Sequence, residues 1–172
     1  MARALAARLY WPGWVLATVL TGLVAGFMLG HALVLGRFVE WLLTAGAPAH
    51  GLLYPAFRAT SGRGGLTAFY AVCGLQVISV VAFLVLALAS GRARGAAALA
   101  AAAGVLWLVA HSASGFGALE RKVVMATGEV PVDVSESFLR LNIPIHLFHA
   151  ATLTAALGAL LAVPRSALRR KD

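Results

Sequence analysis

The chain has 172 residues, of which 61% are hydrophobic and only 12% are charged, and its formal net charge is +8 at pH 7. This composition is typical of an integral membrane protein and leaves too little polar sequence for a separate soluble domain. Basic residues beside membrane helices account for the positive charge, so the charge does not favour nucleic-acid binding. We therefore expect one membrane domain over residues 1–172.

Apolar stretches long enough to cross a bilayer recur along the chain, since a spanning helix needs roughly 20 apolar residues. They cover approximately residues 14–36, 66–89, 96–116 and 143–163. The first is too long for the hydrophobic region of a signal peptide and is interpreted as a membrane helix. The sequence predicts an all-α fold, a four-transmembrane-helix bundle of two helical hairpins with two longer extracytoplasmic connections.

Basic residues cluster before the first predicted helix, between the second and third, and after the fourth. They are Arg3, Arg8, Arg92, Arg94, Arg165, Arg169, Arg170 and Lys171. These three segments lie on one side of the membrane when four helices are threaded, and the positive-inside rule makes that side cytoplasmic. We expect an integral protein of the bacterial inner membrane with both termini in the cytoplasm.

The two outer connections are predicted to begin as continuations of the preceding helices, over residues 37–46 and 118–128. Residues 134–141 have the pattern of a short amphipathic surface helix, after which Asn142 is predicted to cap the fourth spanning helix. His50 lies between Pro48 and Gly51 and is predicted to occupy a loop.

Small residues predict close helix packing. Gly22, Gly26 and Gly30 recur at four-residue spacing, which places them on one ridge of the first helix and would let another helix approach closely. Alanines over residues 96–103, followed by Gly104, offer a similar small surface on the third helix.

Histidines supply the main functional signal, because His31, His111, His146 and His149 lie within or beside the predicted spans. At about 1.5 Å per residue, they reach one depth near the outer face. Ionisable side chains at such depth are costly, which indicates a functional role, and ordinary packing with interhelical hydrogen bonding is the alternative. Imidazole is a common ligand of zinc, copper and iron. We predict that all four bind one transition metal, either iron, copper or zinc.

Acidic residues near these histidines are less well placed. Glu40 follows His31, and Glu120 follows His111, at a nine-residue spacing that puts each carboxylate on the opposite side of an unbroken helix. Either would join the site only if its helix bends or ends first.

Further candidates for the site come from other parts of the chain. Asp133 and Glu136, in the second connection, are further acidic candidates. Trp107, one turn below His111, and Asn142 are predicted to line a substrate pocket.

Two segments carry a resemblance to a known family. The first helix contains TGLVAGFMLGHALVLGRF, and the last opens with SFLRLNIPIHLFHAATL, which includes Arg140, Asn142 and His146. Together with the four-helix layout, they resemble the small membrane proteins grouped with anthrone oxygenases. The resemblance implies oxidation of a hydrophobic substrate, aromatic ones included, that is reached from the bilayer.

These observations favour a metal-dependent oxidoreductase whose redox metal activates oxygen and whose hydrophobic small-molecule substrate arrives through the lipid bilayer. One alternative is a b-type haem protein in which His31 and a histidine of the fourth helix bind iron axially. Another is a non-catalytic subunit that scaffolds a larger membrane complex. The sequence is also compatible with a homo-oligomer.

Overall fold

The computed structural model describes residues 2–45 and 47–168, which form helices and turns without a β-strand. The α-helices are α1 (Ala2–Gly30), α2 (Gly36–Thr44), α3 (Ala47–Phe57), α4 (Arg63–Ser90), α5 (Arg94–Ala113), α6 (Phe116–Val124) and α7 (Val132–Leu168). Two π-helical segments, His31–Leu35 and Arg58–Gly62, join α1 to α2 and α3 to α4. The predicted all-α class is confirmed.

Among the described residues, four helical stretches are long and apolar enough to cross a membrane. They are Arg3–Thr44, Thr67–Ser90, Arg94–Ala113 and Val132–Pro164. This finding confirms the predicted number of helices with the length and composition of membrane spans, as expected for an integral membrane protein. The first and last stretches extend well past the predicted bounds, because helical structure continues into the polar sequence beside each apolar core.

The third spanning helix ends earlier than the sequence predicts. Helix α5 stops at Ala113, and Gly115 adopts a left-handed backbone conformation with φ +75° before α6 begins at Phe116. Glycine adopts this conformation without the steric cost of a side chain. The prediction that residues 118–128 continue the third helix was therefore wrong.

The start of the last helix also differs from its prediction. Helix α7 is one continuous helix of 37 residues from Val132, so residues 134–141 are its first turns and not a separate surface helix. Asn142 lies inside this helix with a fully buried side chain and does not cap it. His50 lies in α3, and the loop predicted for it was also wrong.

The chain divides into two compact units. The first unit comprises Met1–Gly26, Ala71–Trp107 and Ala150–Asp172, and the second comprises Phe27–Tyr70 and Leu108–His149.

The first unit has an apolar core with a small number of internal hydrogen bonds. Tyr10, Phe83 and Leu160 are fully buried in that core. Gln76 donates to the Thr21 hydroxyl over 3.3 Å and accepts a 3.0 Å hydrogen bond from the indole N–H of Trp107. These bonds satisfy polar groups in an apolar environment, as interhelical hydrogen bonds do in membrane proteins.

The small residues of the two predicted surfaces have different environments. A Cβ atom at Gly104 would lie 3.1 Å from Gln76 Nε2, so the small surface of α5 allows close packing, as predicted. A Cβ atom at Gly26 or Gly30 would meet no described atom within 4 Å. The predicted close approach of another helix at Gly26 and Gly30 is therefore wrong for the described chain.

The second unit has its own core around Phe116 and Phe138. Val39, Val123 and Val134 are buried with these two rings. This core brings together α2, α6 and the first turns of α7, and the same unit contains all five histidines.

Candidate functional site

The first spanning helix changes its winding where it enters the candidate site. His31 begins the π-helical segment, in which the backbone N–H of Gly36 donates to the His31 carbonyl oxygen five residues earlier. Such segments are often found at functional sites, because the wider turn changes the direction of the residues that follow. Gly36 fits tightly here: a Cβ atom would lie 2.8 Å from the His31 oxygen and 3.1 Å from Asn142 Nδ2.

Asn142 connects the first and last spanning helices inside the second unit. Its Nδ2 donates to the Gly36 carbonyl oxygen over 3.2 Å and to Glu40 Oε1 over 3.3 Å. The π-helical segment between His31 and Glu40 alters the helical rotation, so the carboxylate reaches this asparagine despite its nine-residue spacing from the histidine. The predicted role of Asn142 in a substrate pocket stays a prediction.

The structure brings together the four histidines that the sequence singles out. The His31 and His146 rings are stacked, with 3.8 Å between their centroids and 22° between their planes. His149 lies next to both remaining rings, 5.6 Å from His146 and 5.6 Å from His111 between centroids. We call His31, His111, His146 and His149 the histidine group.

His146 has a defined orientation because one of its ring nitrogens contacts the backbone. Its Nδ1 lies 2.7 Å from the carbonyl oxygen of Asn142. A carbonyl oxygen only accepts, so Nδ1 carries the proton and donates it, which leaves the lone pair on Nε2. Phe116 packs edge-on against the same imidazole, with 5.4 Å between ring centroids.

Glu120 reaches His111 because the helix breaks at Gly115. Glu120 Oε2 lies 3.7 Å from His111 Nε2, and burial raises the pKa of the Glu120 carboxyl to about 7. Gly117 packs directly on this imidazole, since a Cβ atom there would lie only 2.7 Å from Nε2. The condition that the sequence sets for Glu120 to join the site, an early helix end, is therefore met.

A cavity of about 290 Å³ lies beside the histidine group within the second unit. Its polar wall includes His31, His146, Glu120 and Tyr54, and burial raises the pKa of the Tyr54 hydroxyl, which keeps it protonated at neutral pH. Apolar side chains form most of the remaining wall: Phe27, Leu35, Val39, Phe57, Phe69, Val124 and Phe138. Such a cavity suits a hydrophobic molecule with few polar groups.

A second cavity of about 660 Å³ also has Glu120 in its lining. Arg58 and Arg121 contribute cationic side chains, and His111 belongs to the wall as well. Both cavities share Tyr70, Glu120 and Val124.

The remaining candidates differ in their surroundings. Trp107 belongs to the first unit, where its indole N–H is bonded to Gln76. His50 is buried and stacked on Tyr54 with 5.1 Å between centroids, and burial lowers its pKa. Asp133 and Glu136 are exposed in the first turns of α7.

The observed ring positions suit neither a metal ion held by three side chains nor a haem between His31 and His146. Within residues 2–45 and 47–168, no group of three or more His, Cys, Asp or Glu side chains is placed so that it could hold a metal ion. Axial haem ligation by His31 and His146 would put iron and a flat macrocycle between the two rings. Their 3.8 Å separation leaves no room for such a group.

Comparisons with known proteins place no constraint on the site, because no family model, curated protein or solved structure matches this chain. The resemblance to the anthrone-oxygenase group stays a prediction.

Sequence reasoning missed two glycines that shape the site, Gly36 and Gly117, and did not predict the contact between Glu40 and Asn142. Gly115 and Gly117 lie in the segment SGFG, which begins three residues after His111, and this segment is the signal from which the helix break could have been predicted.

Proposed function

We propose that this protein is a membrane-embedded, metal-dependent oxidoreductase that acts on a hydrophobic substrate at the histidine group. The observation that supports the proposal best is the placement of oxygen acceptors beside the imidazoles. A histidine that binds a metal usually donates its other ring N–H to a carboxylate or a backbone carbonyl. His146 meets the Asn142 carbonyl in this way, and His111 Nε2 lies near the Glu120 carboxylate.

Among the four histidines, His111, His146 and His149 have ring separations nearest to those of imidazoles that share one metal ion. With metal–nitrogen distances of about 2.0 Å, two imidazoles on one tetrahedral ion have centroids about 5 Å apart. Both neighbours of His149 lie 5.6 Å from it, close to this spacing, and a shared metal ion would require one nitrogen of each of the three rings to turn toward a common point. His31 would become a fourth ligand after it leaves its stacked position on His146.

The apolar cavity would supply the substrate site. It is lined by His31 and His146 of the histidine group and otherwise mainly by apolar and aromatic side chains. A redox metal, iron or copper, would transfer electrons between the substrate and oxygen. The protein would hold the substrate ring or chain against the histidines and keep bulk water away, while Glu120 would orient His111.

We also propose the orientation that the basic residues indicate, with two helical hairpins and both termini in the cytoplasm of a bacterial inner membrane. In this orientation, a cysteine placed at Gly128 should react with a membrane-impermeant reagent in intact cells, whereas one placed at Arg94 should not. Reaction at position 94 from outside would contradict the orientation.

Metal analysis of variants tests the shared site. The protein is purified in a mild detergent without chelators, and iron, copper and zinc are measured per chain. We expect His111→Ala, His146→Ala and His149→Ala each to remove most of the metal, because ligands of one ion act together. The control is His50→Ala, which removes a buried histidine outside the group and should leave the metal content unchanged. Full metal content in the His146→Ala protein would contradict the proposal.

A further inference from the structure

The two cavities of the second unit differ sharply in character but share a wall. The larger cavity, of about 660 Å³, has Arg58 and Arg121 on its surface. The smaller one, of about 290 Å³, is lined mainly by apolar side chains. Tyr70, Glu120 and Val124 belong to both linings, so the two cavities are adjacent, and a molecule that occupies both must pass along these three side chains.

The charged groups of the larger cavity favour an anion. Arg58 and Arg121 are permanently cationic, and Glu120 is the carboxylate among the residues that line this cavity. Two positive charges against one negative charge leave an excess of one positive charge even when Glu120 is ionised and His111 is neutral. Guanidinium groups bind carboxylate and phosphate oxygens with strong, directional hydrogen bonds.

Arg58 is held in place for such a role. Its Nη1 donates to the Val124 carbonyl oxygen and lies 3.6 Å from the sulfur of Met125. A guanidinium group has five N–H donors, so these contacts leave others for a ligand. Arg121, in α6, is exposed and adds a second cation, whose side chain can change conformation to meet the ligand.

The sequence positions of the two linings agree with a bilayer interface. Arg58 and Arg121 lie outside the stretches that are apolar enough to span a membrane, whereas Phe27, Leu35 and Phe69 lie within those stretches. An amphiphile in a bilayer has the same arrangement, with its charged head in the polar interface and its chain in the hydrocarbon.

We propose that these two cavities together bind one anionic amphiphile, with a carboxylate or phosphate head beside Arg58 and Arg121 and an apolar chain in the smaller cavity. As the substrate class of the oxidoreductase, this inference rests on the proposed function. The chain would then lie against His31 and His146, which line the apolar cavity. A lipid-derived acid or a lipid phosphate would have this chemistry, and a neutral hydrocarbon would not.

Equilibrium binding to chelator-treated protein in a non-ionic detergent tests the inference without metal or turnover. Oleate and oleyl alcohol have the same chain and differ in the charge of the head. We expect oleate to bind at least about tenfold more tightly at about pH 8, which corresponds to one charge-assisted hydrogen bond. Oleyl phosphate, the phosphate ester of the same alcohol, tests the phosphate head group beside the carboxylate, and tight binding of either anion supports the site. Equal binding of oleate and oleyl alcohol would overturn it.

Variants separate a specific site from general attraction to a basic surface. Arg121→Gln should weaken oleate binding about tenfold, and Arg121→Lys should restore part of the loss. Lys122→Gln is the matched control. Lys122 is the exposed residue that follows Arg121 in α6, and its substitution removes one positive charge, as Arg121→Gln does. Equal losses in Arg121→Gln and Lys122→Gln would overturn the inference.

The two hypotheses can fail separately. Oleate binding that depends on Arg121, in a protein that takes up no metal, would leave the amphiphile site intact and reject the metal-dependent function. A metal-loaded protein that binds oleate and oleyl alcohol equally would reject only the amphiphile.

Discussion

Gly117 offers the sharpest test of the histidine group, because it controls His111 without being a ligand. A Cβ atom at this position would lie 2.7 Å from His111 Nε2 and 2.9 Å from Cδ2. Both distances are too short for non-bonded atoms, so Gly117→Ala must push the imidazole away from α6. The ring would then lose its contact with Glu120 and its direction toward His149.

The stability cost of this change should be modest. An extra methyl group in a packed site costs about 1–3 kcal/mol, and replacing glycine by alanine in a helix returns at most about 1 kcal/mol. We therefore expect a net loss of about 0–3 kcal/mol in the free energy of unfolding, together with loss of more than half of the bound metal. Unfolding in detergent and metal analysis of the same preparation measure both quantities.

Gly95→Ala is a matched control for this variant. Gly95 is the second residue of α5, as Gly117 is the second residue of α6, and a Cβ atom there meets no described atom within 4 Å. The Gly95→Ala protein should keep its metal and its stability. Full metal content in Gly117→Ala would refute the reasoning, because His111 would then not need its observed position.

Other substitutions test the titration of Glu120, the hydrogen bonds of the first unit and the glycine ridge. Because burial raises the pKa of Glu120 from 4.5 to about 7, the unfolded chain releases this proton at a lower pH than the folded chain. The free energy of unfolding should therefore fall between about pH 4.5 and 7, by at most about 3 kcal/mol. Glu120→Gln should remove that slope in unfolding measurements, and a slope that persists would contradict this origin. Gln76→Leu removes the hydrogen bonds to Thr21 and Trp107 and should cost about 1 kcal/mol with no change in metal content; a loss of metal would show that this network acts on the site. Gly26→Leu adds a side chain where a Cβ atom meets no described atom within 4 Å, so the melting temperature in detergent should stay within about 2 °C, and a clear drop would reveal a packing partner.

Much of the fold could be predicted from the sequence because it depends on run length. Apolar runs of roughly 20 residues give spanning helices whatever their partners are, and these runs appear in the four stretches found. The helix ends were harder, because α7 continues as a helix through polar residues from Val132. Polar residues are compatible with a helix, so composition marks the membrane segment and not the helix itself.

The site was predictable in part for a similar reason. The depth of each histidine follows from its position along a spanning helix, and the structure brings the four rings together. The carboxylates were not predictable, since their directions depend on local breaks. A π-helical segment redirects Glu40, and the left-handed Gly115 redirects Glu120. Regular helical periodicity places both on the wrong side.

X-ray absorption spectroscopy of the detergent-purified protein tests the central claim most directly, because it identifies the bound metal and counts the imidazole ligands around it. The proposed site predicts iron or copper with at least about three imidazole nitrogens at about 2.0 Å. It also predicts that His149→Ala, which removes the ring between His111 and His146, abolishes that signal. A protein purified without chelators that contains no stoichiometric metal, or a metal without imidazole neighbours, would contradict the account.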